Sequence, residues 1–149
     1  YSTISVHIIK YIVKTKLSLM MASLKCSMRF GIMGYKMAIV SNKGDEAVKQ
    51  LAARFFSPWI KIAVGERKDI RRKPNPDAVL QAIKQLGSNI EESIYVGDSE
   101  VDIATAKNAG IPCVACLWGF RDEQFLRENG ATRLIKAPKE LLSAVQKQE

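Results

Sequence analysis

Acidic residues are missing from the first 44 positions: the earliest carboxylate is Asp45, although Lys10, Lys14, Lys16, Lys25, Arg29, Lys36 and Lys43 precede it. Of 23 Lys and Arg residues seven lie in that stretch, and none of the 15 Asp and Glu residues does. The net charge of +8 is therefore a local excess over a nearly neutral body. With no basic face and interleaved aromatics after residue 45, nucleic acid is not the expected partner. Cysteine is scarce too. Three of them, Cys26, Cys113 and Cys116, are too few and odd in number for a disulfide framework, and a reducing cytoplasm suits them. No apolar run reaches the ~20 residues that span a bilayer, because Lys10, Lys14 and Lys16 interrupt the one candidate. No membrane partner is expected. No G-x-G-x-x-G follows any predicted strand, which leaves the dinucleotide-binding reading a weak third, and neither an internal repeat nor a Pro/Gly linker divides the chain.

At 149 residues and 47% hydrophobic composition, the chain suits one globular domain with a real core. From Tyr35 onward, short β-branched runs alternate with helical periods, the pattern of βα units around a parallel sheet. Met37–Ser41 is a buried strand, followed by Val48, Leu51, Ala52 and Phe55 on one stripe of a helix that begins near Asp45. Ile60–Val64 is a shorter strand. Asn75 is placed as an N-cap with Pro76 at the first helical position, Val79, Ala82, Ile83 and Leu86 as the buried stripe, and Gly87 as the stop. Ser93–Gly97 is the next strand, a helix covers Val101–Ala109, and Pro112–Leu117 is a strand again. Thr132–Ile135 is an edge strand, and Pro138 opens a last helix with Leu141, Leu142 and Val145 inward. Residues 1–33 do not keep this beat. Cys113-Val-Ala-Cys116 matches C-x-x-C, but positions three apart in a strand face opposite sides, so two half-buried strand cysteines are expected rather than a redox pair.

In an open parallel sheet, ligands sit beyond the carboxyl ends of the strands, which makes those ends the residues to question. Ser41-Asn42-Lys43 offers a hydroxyl and turn amides able to hold a phosphoryl oxygen, although a Ser-Asn turn or cap is common by itself. Arg71-Arg72-Lys73-Pro74-Asn75-Pro76-Asp77 sets a lysine before a helix start fixed by two prolines, where its charge can meet a phosphoryl group; a solvated lysine beside a cap is the plain alternative. Val96-Gly97-Asp98-Ser99-Glu100-Val101-Asp102 places two carboxylates four apart at a strand-to-helix turn. Both can face one hard cation such as Mg²⁺, or simply favour the helix N-terminus.

In this order and spacing, Ser-Asn-Lys, Lys-Pro-x-Pro-Asp and Gly-Asp-Ser-x-x-Asp resemble the second, third and fourth motifs of the haloacid dehalogenase-like hydrolases. Ala-Lys-Asn-Ala-Gly (106–110) and Trp-Gly-Phe-Arg (118–121) bring the likeness closer to phosphoglycolate phosphatases, over about residues 34–149. The resemblance implies a Rossmann-like α/β core, helices on both faces of a parallel sheet, and Mg²⁺-dependent hydrolysis of a small phosphorylated metabolite through an aspartyl phosphate. It implies that Ser41 and Asn42 bind the phosphoryl group and that Lys73 holds phosphate and nucleophile. Asp98 then coordinates Mg²⁺, and Asp102 steadies that metal or Lys73.

The same resemblance exposes what is missing. The family's first motif, Asp-x-Asp-Gly-Thr, supplies nucleophile and general acid, and this chain has no residue to match it, nor the cap inserted after it. The expected fold therefore lacks the usual first, central strand, whose absence would leave two edges unpaired in the core unless Val6–Val13 fills the place. Residues 1–33 read as an atypical basic N-terminal segment outside the family pattern, with 34–149 as the C-terminal part of the hydrolase core. The expected origin is a truncated or frame-disrupted gene, with a basic targeting peptide as the alternative. The chain is expected to be inactive alone: either an incomplete phosphatase, or a non-catalytic phosphate- or metal-binding module or subunit completed by another chain.

Overall fold

The structure, a computed structural model, describes residues 6–9, 17–119 and 121–146. Six strands, β1 (Val6–Ile9), β2 (Lys36–Gly44), β3 (Ile62–Glu66), β4 (Ser93–Gly97), β5 (Cys113–Cys116) and β6 (Leu134–Ile135), form one sheet in the order β3-β2-β1-β4-β5-β6. Every neighbouring pair is parallel. The helices are α1 (Leu17–Ile32), α2 (Asp45–Phe55), α3 (Asp77–Gln85), α4 (Glu100–Ala109), α5 (Glu123–Glu128) and α6 (Leu141–Gln146), the last entered through a 3-10 turn at Pro138–Glu140.

The apolar run Met37-Ala-Ile-Val40 is buried throughout, as a strand covered on both faces requires. Successive side chains point opposite ways, so Met37 and Ile39 enter one core while Ala38 and Val40 enter another. Phe30 of α1, Val48 and Ala52 of α2, and Leu141 and Val145 of α6 close the first core; Val79, Ala82 and Ile83 of α3 and Ala106 and Ala109 of α4 close the second. The result is a three-layer α/β/α sandwich. Cys116 belongs to the first core and Cys113 packs on the second, as strand alternation requires.

The expected gap at the centre of the sheet is filled. Strand β1 lies between β2 and β4, with Val6 opposite both Lys36 and Ser93. Backbone groups of β2 and β4 that would otherwise be stranded in the core are thereby paired. The strand falls within the stretch Val6–Val13 named from the sequence, of which residues 10–13 lie outside the described residues. The segment Val6-His-Ile-Ile-Lys10 that supplies it contains no carboxylate.

Two helices escaped the sequence reading. The first turn of α1 holds no acidic residue, and its stop signal lies beyond it at Gly34, whose φ of 85° lets Tyr35 N–H reach the Phe30 carbonyl at 3.0 Å. Phe30 is 1% exposed and meets the Tyr35 ring edge-on at 5.1 Å. Helix α5 is short and capped by Asp122, which accepts from Phe125 N–H at 2.9 Å. Elsewhere the boundaries move slightly. Helix α3 starts at Asp77, with Pro76 flanking it and the Asn75 side-chain Oδ1 accepting from Asp77 N–H at 3.3 Å. Strand β3 runs two residues later than expected, because Ile60 N–H is bound to the Phe56 carbonyl at 2.9 Å in the turn that ends α2.

Burial of Phe30 makes α1 part of the core. Phe30→Ala is expected to lower unfolding free energy by about 3–5 kcal/mol in urea denaturation, whereas a change below about 0.5 kcal/mol would show that α1 does not pack as described.

Candidate phosphate-binding site

The sheet order reverses around β1: the chain runs outward to β3, then crosses back to β4, and this switch point is where α/β sheets hold ligands. Strands β2 and β4 flank β1, so the residues that end them, Ser41 to Lys43 and Asp98, converge on one end of the sheet. A cleft of about 530 Å³ opens there, with Ser41, Asn42, Lys43, Lys73, Ser99 and Arg121 among its walls.

Lys73 enters this cleft from the loop before α3, yet its side chain is only 2% exposed. Its ammonium donates to Asp102 Oδ1 at 2.8 Å and to the Tyr95 hydroxyl at 3.2 Å, and lies 5.9 Å from the centre of the Tyr95 ring. The loop is held by side chains on both sides. Asn42 accepts from Lys73 N–H at 3.0 Å and donates to the Lys73 carbonyl at 3.5 Å, while Asn108 of α4 donates to the Pro74 carbonyl at 2.8 Å.

Asp102 is fully buried and its two oxygens are divided between two tasks. Oδ1 takes the Lys73 ammonium and the Tyr95 hydroxyl, the latter at 2.9 Å; Oδ2 takes the Ser99 hydroxyl at 2.9 Å and Asp98 N–H at 3.1 Å. Four hydrogen bonds match the acceptor capacity of a carboxylate. The approach is possible because residue 97 is glycine: a Cβ there would stand 2.3 Å from Asp102 Cβ. Ser99 caps α4, accepting from Asp102 N–H at 3.4 Å, and so fixes the turn that carries both acids. Asp98, at the end of β4, is 1% exposed.

Ser41 is half-buried, and its Oγ accepts from Lys43 N–H at 3.2 Å at the cleft wall. Across the mouth, Arg121 makes two bonds to Glu100, at 3.0 and 2.8 Å, and stacks 4.4 Å from the Phe125 ring. That guanidinium holds the Glu100 carboxyl below its usual range.

The five residues singled out from the sequence thus gather at one end of the sheet. Tyr95 is the residue the sequence reading missed. Its signal was a polar-tipped aromatic inside the otherwise apolar strand Ser93–Gly97, where a hydroxyl must find a partner. Burial, and after it the charge of Asp102, pushes the Tyr95 phenol well above its ordinary value, so it remains a donor. Burial also pushes Cys113 up to about 12 and Cys116 well above the thiol range.

Asp102→Ala strands the buried ammonium of Lys73 and is expected to cost about 3–5 kcal/mol of stability, against about 1 kcal/mol for Tyr95→Phe. Urea denaturation of both checks the order, and equal costs would refute it. At pH 8 the folded protein is expected to leave Cys113 and Cys116 unmodified by a maleimide while the urea-unfolded chain reacts at both, as peptide mapping would show.

Comparison with known proteins agrees with the geometry. Residues 22–116 match the family model described as haloacid dehalogenase-like hydrolase. A phosphoglycolate phosphatase of Pseudomonas syringae pv. syringae is 33% identical over 115 residues, covering 74% of this chain and 41% of that protein. A pyrophosphatase of Halalkalibacterium halodurans is 32% identical over 113 residues, covering 75% and 53%. The crystal structure of a "putative phosphoglycolate phosphatase" from Lactobacillus delbrueckii subsp. bulgaricus superposes with a TM-score of 0.81 at 39% identity, over 83% of this chain and 52% of that one. The chain spans about half the length of the curated relatives it matches. With more than half of its residues matched to the family model and a Rossmann-like α/β/α core in common, the chain belongs to the haloacid dehalogenase-like hydrolases.

Proposed function

We propose that this chain supplies the phosphate-gripping and cation-binding half of a phosphatase site of the phosphoglycolate phosphatase type, acting on a small phosphorylated metabolite in a reducing cytoplasm. The observation that carries the reading is the buried Lys73–Asp102 pair opening onto the cleft beside Ser41. Ser41 Oγ and the turn amides bind phosphoryl oxygens. Lys73, held by Asp102 and Tyr95, neutralises charge on the phosphoryl group without reorganising. Asn42, bonded at both ends to the Lys73 main chain, sets where that lysine stands and borders the phosphate.

Among the described residues no three His, Cys, Asp or Glu side chains cluster as a protein cage for a metal. The donor set suits Mg²⁺ all the same, because that ion is commonly held by one or two carboxylates together with water and phosphate oxygens. Asp98 is the carboxylate that would hold it. Bound Mg²⁺ would neutralise phosphate charge and orient the group for displacement. Of the two roles the sequence leaves open for Asp102, the four hydrogen bonds on its oxygens favour steadying Lys73 over ligating the metal.

In the intact family reaction a carboxylate attacks phosphorus and displaces the ester's alcohol, which leaves with a proton, to form an aspartyl phosphate that water then cleaves to carboxylate and inorganic phosphate. No Asp or Glu precedes Asp45 in this chain. It is therefore expected to bind phosphate and Mg²⁺ without turnover, and that lack also favours a second reading, a binding module or subunit completed by another chain. Calorimetric titration with inorganic phosphate in the presence of Mg²⁺ should give saturable binding that weakens about tenfold or more in Lys73→Met. Absence of phosphate binding would remove the half-site, and p-nitrophenyl phosphate hydrolysis abolished by Asp98→Ala would reveal a nucleophile elsewhere in the chain.

A further inference from the structure

On the face of the sheet closed by α1 and α6, a second hollow of about 220 Å³ is lined by Cys26, Phe30, Pro138 and Leu142, with Lys25, Arg29 and Lys139 around it. Its floor is apolar: Phe30 and Pro138 are buried, Leu142 is half-buried, and the Cys26 thiol donates to the Pro138 carbonyl at 3.6 Å rather than facing the opening as a polar group. Burial pushes that thiol up to about 11, which leaves it uncharged. The three cations are exposed, and among the described residues none of them makes an ion pair. The sequence explains why: the stretch that supplies Lys25 and Arg29 has no acidic residue. The nearest acid along the chain to Lys139 is Glu140, and its carboxylate accepts the Lys136 and Ala137 amides, each at 2.7 Å.

An apolar hollow ringed by three cations that are unpaired among the described residues is complementary to one kind of molecule, an apolar body that ends in an anion. We propose that it is a binding site for a small amphipathic carboxylate, separate from the phosphate cleft in every residue that lines it. Size narrows the class. An apolar cavity of about 150 Å³ accommodates benzene, so this one takes an aromatic ring with a short side chain, or a medium-length alkyl chain. The ring or chain displaces water from Phe30, Pro138 and Leu142. The carboxylate stays at the rim, where Lys25 and Arg29, one helical turn apart on α1, and Lys139 meet it from two sides. Aliphatic stems of the lysines and arginine lie over the apolar body while their charged ends remain in water.

The test uses 3-phenylpropionate against 3-phenylpropanol, which has the same apolar body without the charge, followed by calorimetry at low and at high salt. The acid is expected to saturate one site and to bind about fivefold more tightly than the alcohol, since each exposed ion pair contributes up to about 1 kcal/mol. High salt removes that advantage. The double reversal Lys25→Glu/Arg29→Glu, at exposed positions that leave the core untouched, is expected to abolish the preference for the acid, and Leu142→Trp, which fills the hollow, to abolish binding of both; circular dichroism confirms that each variant is folded. Equal affinity for acid and alcohol overturns the proposal. So does acid binding that survives both variants, or the absence of saturable acid binding.

Discussion

Lys73 and Asp102 form an ion pair with almost no contact with solvent, and the functional end of the molecule is organised around keeping it satisfied. Two charges taken out of water are tolerated only when geometry is good and the remaining hydrogen-bonding positions are filled. Every element near the pair contributes to that condition. Strand β4 brings Tyr95 beneath the ammonium and ends in a glycine that lets Asp102 approach; the turn between β4 and α4 supplies Ser99 and the Asp98 amide; β2 sends Asn42 to hold the lysine's own backbone. The pair makes a poor stabiliser and a good positioning device. A lysine placed this way presents its charge to the cleft with little freedom left to lose.

That arrangement rests in turn on the sheet. Parallel strands between two helix layers direct all their carboxyl ends to one side, and the reversal of strand order at β1 leaves a crevice there. The alternation that divides Met37 and Ile39 from Ala38 and Val40 also divides Tyr95 from Ile94 and Val96. Tyr95 points into the layer beneath Lys73 for that reason. The cores and the site are thus two consequences of one register: a slip of one residue in β4 would turn the hydroxyl away from the ion pair and Ile94 towards it.

The site is asymmetric in its chemistry. Ser41, Asn42, Lys73, Asp98 and Asp102 come from β2, the loop before α3, the end of β4 and α4, all downstream of Tyr35. The central strand β1 is formed by residues without a carboxylate. Filling the central position satisfies the backbone, and any β-branched segment with the right length can do that. Supplying a nucleophile needs one residue type at one place. Structural and chemical requirements on the same strand are therefore separable, and β1 meets the structural one.

Local signals in the sequence were enough for the βα order after Tyr35, because each strand was a short apolar run and most helices carried a clear stripe and cap. They also picked out Ser41, Asn42, Lys73, Asp98 and Asp102, since residues at strand ends must converge in a parallel sheet. Helix α1 was not legible, because its first turn lacks the usual acidic signal and its apolar residues gain meaning only against β2 and α6. The occupant of the sheet centre was decided by pairing between segments some 30 and 90 residues apart, which periodicity does not encode. Tyr95 and the division of labour on Asp102 are likewise tertiary facts. A residue's neighbours along the chain determine its face, but which buried charge that face meets depends on register across the sheet.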